Sequence, residues 1–572
     1  MKKIFYIIIV GLLFLASCEN SLDLYPLSQA TSETWYSSET EIQLALNDQY
    51  DPSFWTQDED LDKGNAYLSD DGIFRNIATP IKLGTVTSQW ATSTNLWQKC
   101  YAAIALANRA LLALNSNETK AQIPEATLDK YIAEARFFRA AQYSKLIWHF
   151  GDAVYLDHVA TIDEAFTIGR TDKNVILQKI YEDFDAAVSA LPLSYSASEV
   201  KRVTKGAAYA LKARVALYMG DFATAAQAAK ACIDLGIYQL YPDYSTLFLS
   251  ATKDNIEEIF ALPISVALSI GNHPDYRNII TRNVSGYGAF DPDWNLMNCY
   301  LCTDGLPIDE SPLYDPKNPW KNRDPRCKAT IVEIGTEHLG YIYDPNPYAM
   351  TVLEVATGKM VENQDNRAIK QQASYNGLVT KKGVDMTYVG VSPTSEPDQV
   401  IIRYADVLIM YAEAKTELGQ IDQSVFDAVN SVRARAYKVP LAATTLYPAI
   451  TSTDQTKLRL AIRLERRMEL AMEGLRYMDI VRWRLASKVL TRPIYGLLDP
   501  AILKAKVVDK GLWFFPGIPD IDEDGVSDFS AMEAAGTIKK LVVCNWNDRQ
   551  YLWPIPTAEI QINHNMKQNP GY

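Results

Sequence analysis

The sequence predicts a mainly α fold, a scaffold of helix pairs carrying a large loop-rich part with few short strands. Three observations predict it. Long segments free of proline and glycine recur along the chain. Small residues line the joints between consecutive helical segments. Two long stretches, 237–400 and 486–556, are instead rich in Tyr, Pro, Gly, Asn and Asp and hold only short apolar runs.

The N-terminus reads as a leader. Positive residues in MKK precede an unbroken apolar run from Ile4 to Ala16, shorter than the ~20 residues a membrane span needs. Leu15-Ala16-Ser17-Cys18 has the form of a lipobox, which predicts a signal peptide over 1–17 and acylation of Cys18. An acylated Cys18 holds a protein at a membrane face, and the polar, turn-prone residues 18–30 supply a tether.

Residues 31–236 form the first helical region. LWQKCYAAIALANRALLAL (96–114) and LDKYIAEARFFRAAQYSKLIWHF (128–150) are long uninterrupted helices, the second apolar nearly all round and so buried in a bundle. Trp97 opens the first of these and belongs to the frame. NVILQKIYEDFDAAVSAL (174–191) places Ile176, Ile180, Phe184 and Val188 on one face, and Pro192 stops it. A helical hairpin follows, 204–220 and 221–236, broken at Gly220. Its turn YMGDFATA resembles a tetratricopeptide junction, with Ala225, Ala229 and Cys232 as a close-packing stripe.

Residues 237–400 are a loop-rich insertion, long enough to be functional rather than connecting. Within it, NVSGYGAFDPDWN (283–295) sets Tyr287, Phe290 and Trp294 among glycines, acids and a proline, which predicts rings on a surface loop poised for recognition. A second helical region, 401–572, contains the pair 403–419 and 424–436 and the loop insertion 486–556.

Composition excludes several functions. The formal charge of −13 argues against nucleic acid as a partner, since phosphate binding wants a basic surface. Beyond Cys18, six cysteines in a chain of 572 residues make no disulfide framework, and buried free thiols are expected. Cys299-Tyr-Leu-Cys302 has metal-ligand spacing, but it has no second such pair and no histidine nearby, so these too read as core thiols.

IIRYADVLIMYAEA (401–414), VNSVRARA (429–436), IRLERRMELAMEGLRYMDIVRW (462–483) and the ending YLWPIPTAEIQINHNMKQNPGY (551–572) resemble the SusD/RagB family of nutrient-binding outer-membrane lipoproteins. EARFFRAAQYSKLIWHFGDAVYL (134–156), RVTKGAAYALKARVALYMGDF (202–222) and NRDPRCKATI (322–331) extend the likeness over nearly the whole mature chain. The resemblance implies a SusD-like fold on a degenerate tetratricopeptide-type scaffold, and a lipid-anchored position facing the cell exterior. It implies a SusC-like TonB-dependent transporter as partner and an oligosaccharide as ligand, with peptides or another nutrient as the alternative cargo.

It also implies where the ligand sits. The family carries a ligand-facing aromatic in a glycine-flanked turn, which here is Tyr287 between Gly286 and Gly288. Phe290, Trp294 and Trp320 are further candidates. Asp70, Asp71, Arg75 and Trp90 lie in loops that border the ligand in the family. Aromatic faces suit sugars because pyranose C–H groups stack on them while polar side chains take the hydroxyls.

Two acidic motifs remain. Glu465, Glu469 and Glu473 stand at four-residue steps, as a catalytic pair might, but Arg466, Arg467 and Arg476 are adjacent, which predicts an ion-pair network and no catalysis. PDIDEDGVSD (519–528) resembles a calcium loop, with Asp520, Asp522, Asp524, the carbonyl of Val526 and Asp528 as ligands of a structural ion. Ala531 replaces the usual closing glutamate.

Overall fold

The computed structural model describes residues 36–55, 68–196, 202–270, 276–385, 396–514 and 516–572. The leader 1–17, Cys18 and the tether 18–30 lie outside them. The principal helices are α1 (Glu39–Asn47), α2 (Ala91–Leu114), α3 (Glu125–Phe150), α4 (Lys173–Ala190), α5 (Lys205–Tyr218), α6 (Phe222–Asp234), α7 (Tyr404–Glu417), α8 (Gln423–Ala436), α9 (Gln455–Glu469) and α10 (Arg476–Arg482). Among the described residues none is long and apolar enough to cross a membrane.

Local chemistry fixes the helix ends. Asp172 caps α4 by accepting from the Asn174 N–H, and Thr204 caps α5 through the Ala207 N–H. Gly220, at φ +81°, makes the turn between α5 and α6 that a side chain would resist. Ala225, Ala228, Ala229 and Cys232 are buried on α6, so the small stripe does bring neighbouring helices close.

Consecutive helices stack: α2 on α3, α3 on α4, α4 on α5, α5 on α6, then α6 on α7, and α7 on both α8 and α9. The sixth and seventh helices touch although residues 235–403 separate them. The insertion therefore leaves the stack and returns to the same place, and the helical frame is continuous through it. One large core runs along the frame, from Trp97 and Phe137 through Val215 to Ile409 and Trp553.

Short strands β1 (Gly72–Phe74), β2 (Glu258–Leu262), β3 (Phe290–Pro292), β4 (Gln399–Arg403), β5 (Asp520–Ile521) and β6 (Ser527–Asp528) pair antiparallel as β1–β3, β2–β4 and β5–β6. A four-stranded antiparallel sheet lies between 337 and 362.

The two loop-rich stretches are not loose. Trp294, Met297, Tyr300 and Trp320 pack with Met468, Leu497, Phe514 and Phe529 into a second core that joins both insertions to the end of α9. Glycine, proline and acids in NVSGYGAFDPDWN mark an irregular path, not exposure, and this corrects the expectation for two of its three rings. Trp294 is 1% exposed, and its Nε1 donates to the Asn376 carbonyl at 2.9 Å. Trp320 is also buried, 5.4 Å from the Phe514 ring. Phe290 lies on β3 in a smaller core with Tyr276, Ile280 and Val284, its ring 4.8 Å from Phe74. All three are packed into the fold and not presented on a loop surface.

The glutamates form a network, with partners other than those expected. The helix ends at Glu469, so Glu473 lies in the following turn, where Met472 takes φ +62° and Gly474 +78°. Glu465 pairs with Arg326 (2.6 Å) and Arg433 (2.8 Å), and Glu469 with Arg326 (3.0 Å), Arg403 (2.7 Å) and Arg435. Glu473 holds Arg403 and Lys382, each at 2.6 Å. The adjacent Arg466 turns instead to Asp406 and Asp479, and Arg467 and Arg476 reach Asp70 and Asp71. Carboxylates engaged this way are committed to holding the frame together.

All six cysteines among the described residues are buried and free. Burial pushes the Cys299 thiol up to about 12, as for an inert core residue.

Candidate functional site

The site is built on the turn that carries Tyr287. Residues 276–279 make one helical turn, and the chain then doubles back against it. The N–H groups of Gly286, Tyr287, Gly288 and Ala289 donate to the carbonyls of Thr281 (3.0 Å), Arg277 (2.5 Å), Ile280 (2.9 Å) and Asn278 (2.7 Å). Four backbone bonds in four residues fix the turn from which the ring projects. Glycine is required on both sides for different reasons. A Cβ on Gly286 would lie 2.3 Å from the Ile280 carbonyl oxygen, and Gly288 takes φ +49°.

Tyr287 is 39% exposed, so the turn presents a ring to solvent with the small Phe290 core as its floor. The Arg277 guanidinium lies over that ring, 4.7 Å from its centroid, and its Nε donates to the Ser285 carbonyl at 3.0 Å. Arg282 Nη1 donates to the Tyr287 carbonyl at 3.2 Å. Arg75 joins from β1: its backbone N–H donates to the Ala289 carbonyl at 3.1 Å, and its φ of +50° is unusual for an arginine. Of the residues expected at the ligand, the structure therefore brings together Tyr287 and Arg75.

Asp70 and Asp71 serve the site differently from what was expected. Both are buried, and Asp70 bonds Arg476 Nε at 2.9 Å and Arg467 Nη2 at 2.8 Å. Burial alone would raise the Asp70 carboxyl, but the two guanidiniums more than offset it and hold the group well below the usual range. Asp71 pairs with Arg467 Nε at 2.9 Å, and its carbonyl accepts from the Asp293 N–H at 2.8 Å. These acids clamp the loop bearing Arg75 to α9 and to the end of β3. They position the site, with their carboxylates engaged by arginines of the frame.

Trp90 belongs to the frame as well. It is half-buried, edge-on to Trp553 at 4.6 Å, and packs on the large core. Trp90→Ala is expected to lower the melting temperature while leaving ligand affinity within twofold. A selective loss of affinity would return it to the binding surface.

Residues 520–528 do not form the expected calcium loop. Strands β5 and β6 pair Asp520 opposite Asp528, and the Val526 carbonyl accepts from the Asp522 N–H at 3.1 Å, closing a hairpin. Asp522 Oδ1 accepts from the N–H groups of Asp524 and Val526, each at 3.0 Å. Lys488 bonds Asp524 and lies 3.1 Å from Asp522, and Arg492 lies 3.4 Å from Asp528. In this arrangement Lys488 answers the charge of Asp522 and Asp524, while Asp522 Oδ1 and the Val526 carbonyl are engaged within the turn. Calorimetry with calcium chloride is expected to show no saturable heat, whereas uptake abolished by Asp522→Ala would restore the ion.

Arg277, Arg282 and Asp365 were not foreseen. Asp365 accepts from the backbone N–H groups of Arg282 (2.7 Å) and Asn283 (3.3 Å) and shapes the turn from below. A clue existed for the first two, since DYRNIITRN sets two arginines just before the Gly-Tyr-Gly turn in an acidic chain.

Beneath the turn, burial pushes Asp291 up to about 8 and Asp365 up to about 6. Both folded values exceed the ordinary carboxylate range, so between about pH 4 and 8 the folded protein holds protons that the unfolded chain has released. Stability falls as pH rises through that window. Each pKa unit corresponds to ~1.4 kcal/mol. Asp291→Asn is expected to raise the melting temperature at pH 8 by several degrees and to leave it almost unchanged at pH 4. An equal gain at both pH values would refute the protonated state of Asp291.

Comparison with known proteins bears on the whole chain. A model described as "SusD family" matches residues 257–572, and one described as "Starch-binding associating with outer membrane" matches 28–217. A SusD-like protein of Formosa agariphila is 27% identical over the full length of both chains. The crystal structure of a SusD-like carbohydrate binding protein from Bacteroides fragilis is 28% identical with a TM-score of 0.76, covering 93% of this chain and all of that one. A second SusD-like protein of that species, 24% identical with a TM-score of 0.72 over 96% of this chain and all of that one, shares the fold.

Proposed function

The chain belongs to the SusD family, and from that premise we propose that it is a surface lipoprotein that captures oligosaccharide at the outer membrane and does not cleave it. It then passes the sugar to a SusC-like TonB-dependent transporter, and acylated Cys18 provides the anchor. The observation that carries this reading is the Tyr287 turn, a solvent-facing ring on a backbone fixed by hydrogen bonds, with the Arg277 guanidinium stacked on it.

A rigid ring loses little conformational entropy when a sugar stacks on it, so the site is preorganised for a weakly hydrophobic, hydroxyl-rich face. The glutamates that resemble catalytic acids are consumed by arginines in the frame, which supports binding without hydrolysis.

A glycan array followed by isothermal titration of the purified protein tests the reading. Saccharide binding that depends on Tyr287 is expected, with no product released from the bound glycan. Binding of peptides in place of sugars, or release of shortened saccharides, would overturn it.

A further inference from the structure

The charge around Tyr287 differs from that of the rest of the protein. Most of the buried arginines elsewhere face carboxylates, as Arg139 faces Asp183, Arg403 faces Glu469 and Arg466 faces Asp406, although Arg323 bonds backbone carbonyls instead. Arg75, Arg277 and Arg282 converge on one turn, and among the described residues none of them has a carboxylate at ion-pair distance. The overall charge is −13, so a local group of unpaired cations is not a by-product of a basic composition.

The hydrogen bonding of these arginines is incomplete too. Each guanidinium offers five N–H donors. Arg277 Nε donates to a carbonyl, and the group then stacks over the ring. Arg282 donates through Nη1 to the carbonyls of Tyr287 and Gln372, while its Nε is buried without an acceptor. Arg75 Nε is likewise buried without an acceptor. Burial, and then the like charge of Arg75, weakens the hold of Arg282 on its proton. Those buried Nε atoms lie out of a ligand's reach, and the outer Nη groups of the two neighbouring guanidiniums are the donors in place for an incoming anion.

The nearby acids offset this field only in part, since Asp365, pushed to about 6, is ionised at neutral pH and its charge favours the Arg282 guanidinium. Asp291, on β3 beside Ile73 of β1, is shifted by burial to about 8, so its neutral form prevails at neutral pH. Asp365 directs its oxygens to the backbone of Arg282 and Asn283 and not to a guanidinium.

We propose that the saccharide held at Tyr287 is anionic, with its carboxylate or sulfate groups bound by Arg75, Arg277 and Arg282 while a sugar ring stacks on the tyrosine. This rests on the glycan-binding reading and adds to it the charge class of the ligand. The planar fork of arginine matches both anions bidentately, and a neutral glycan would leave the positive charge unanswered.

Affinity electrophoresis and titration calorimetry with polygalacturonate, a sulfated carrageenan, neutral laminarin and neutral xyloglucan test it. One or both acidic polymers are expected to bind, with the dissociation constant rising at least tenfold between 50 and 500 mM salt. The polygalacturonate and carrageenan arms separate carboxylate from sulfate. Arg282→Gln and Arg277→Gln are each expected to weaken that binding about tenfold without a shift in melting temperature, and Arg282→Lys to recover part of it. If a variant fails to fold, the salt dependence and polymer preference of the unaltered protein decide. Tight, salt-insensitive binding of laminarin or xyloglucan with no binding of the acidic polymers would overturn the anionic assignment and leave glycan capture intact. Binding of none of the four polymers would overturn both.

Discussion

Glu469→Ala is expected to lower the melting temperature by roughly 3–4 °C or to leave the protein insoluble, a loss of ~3–5 kcal/mol. The carboxylate is fully buried and holds three guanidiniums, those of Arg326, Arg403 and Arg435, which come from separate parts of the chain. Removing it takes one negative charge out of a buried network and leaves Arg326, Arg403 and Arg435 to share Asp324, Glu465, Glu473 and Glu257 in a medium that solvates excess positive charge poorly. Glu469 is also the last residue of α9, where the helix dipole disfavours a negative charge, so the arginines are needed to hold it there.

The sign of the pH effect follows. Burial would raise the Glu469 carboxyl, but the three guanidiniums outweigh it and hold the group far below its ordinary value. Its contribution is present above the unfolded carboxylate value near pH 4.3 and is lost as acid titrates the folded form. Melting temperature should fall steeply below about pH 4.5 in the unaltered protein and less steeply in the variant. Glu523→Ala, at an exposed acid, should change neither. A Glu469 variant as stable as the parent would show that the network is dispensable.

The helices were legible because their signals are local. Proline-free apolar periods, Pro192 as a stop and Gly220 as a break all act within a turn or two, and α2 to α8 form close to where these signs put them. The break after Glu469 was not legible, since Glu473 continues the four-residue spacing. It follows from tertiary demand: Arg403 and Lys382 draw Glu473 into a turn that helical geometry would not allow. The rings were misread for a similar reason. Nothing within NVSGYGAFDPDWN distinguishes Trp294 from Tyr287, because what buries the tryptophan is Phe514 and Phe529, more than two hundred residues away. Asp70 and Asp71 were placed in the right loop with the wrong task. Their arginine partners follow nearly four hundred residues later, beyond any spacing rule.

Tyr287→Ala is expected to weaken saccharide binding by roughly thirtyfold, about 2 kcal/mol, with a change in melting temperature of no more than a degree or two. The two effects separate because the ring and its turn are stabilised by different things. The turn is held by backbone N–H groups that survive the substitution, and the ring is more than one-third exposed, so its removal opens no cavity. What folding loses is the cation–π contact with Arg277, ~0.5–1 kcal/mol at such a site. What binding loses is the only strongly exposed ring on this turn, since Phe290 lies beneath it in the small core. Tyr287→Phe keeps the face and removes the hydroxyl, so it should bind within about threefold of the parent if stacking is the main contribution. Titration calorimetry paired with thermal melts of the two variants reads both quantities. A large fall in melting temperature for Tyr287→Ala would place the ring in the fabric of the fold. Equal affinity loss in both variants would transfer the role from the aromatic face to the hydroxyl.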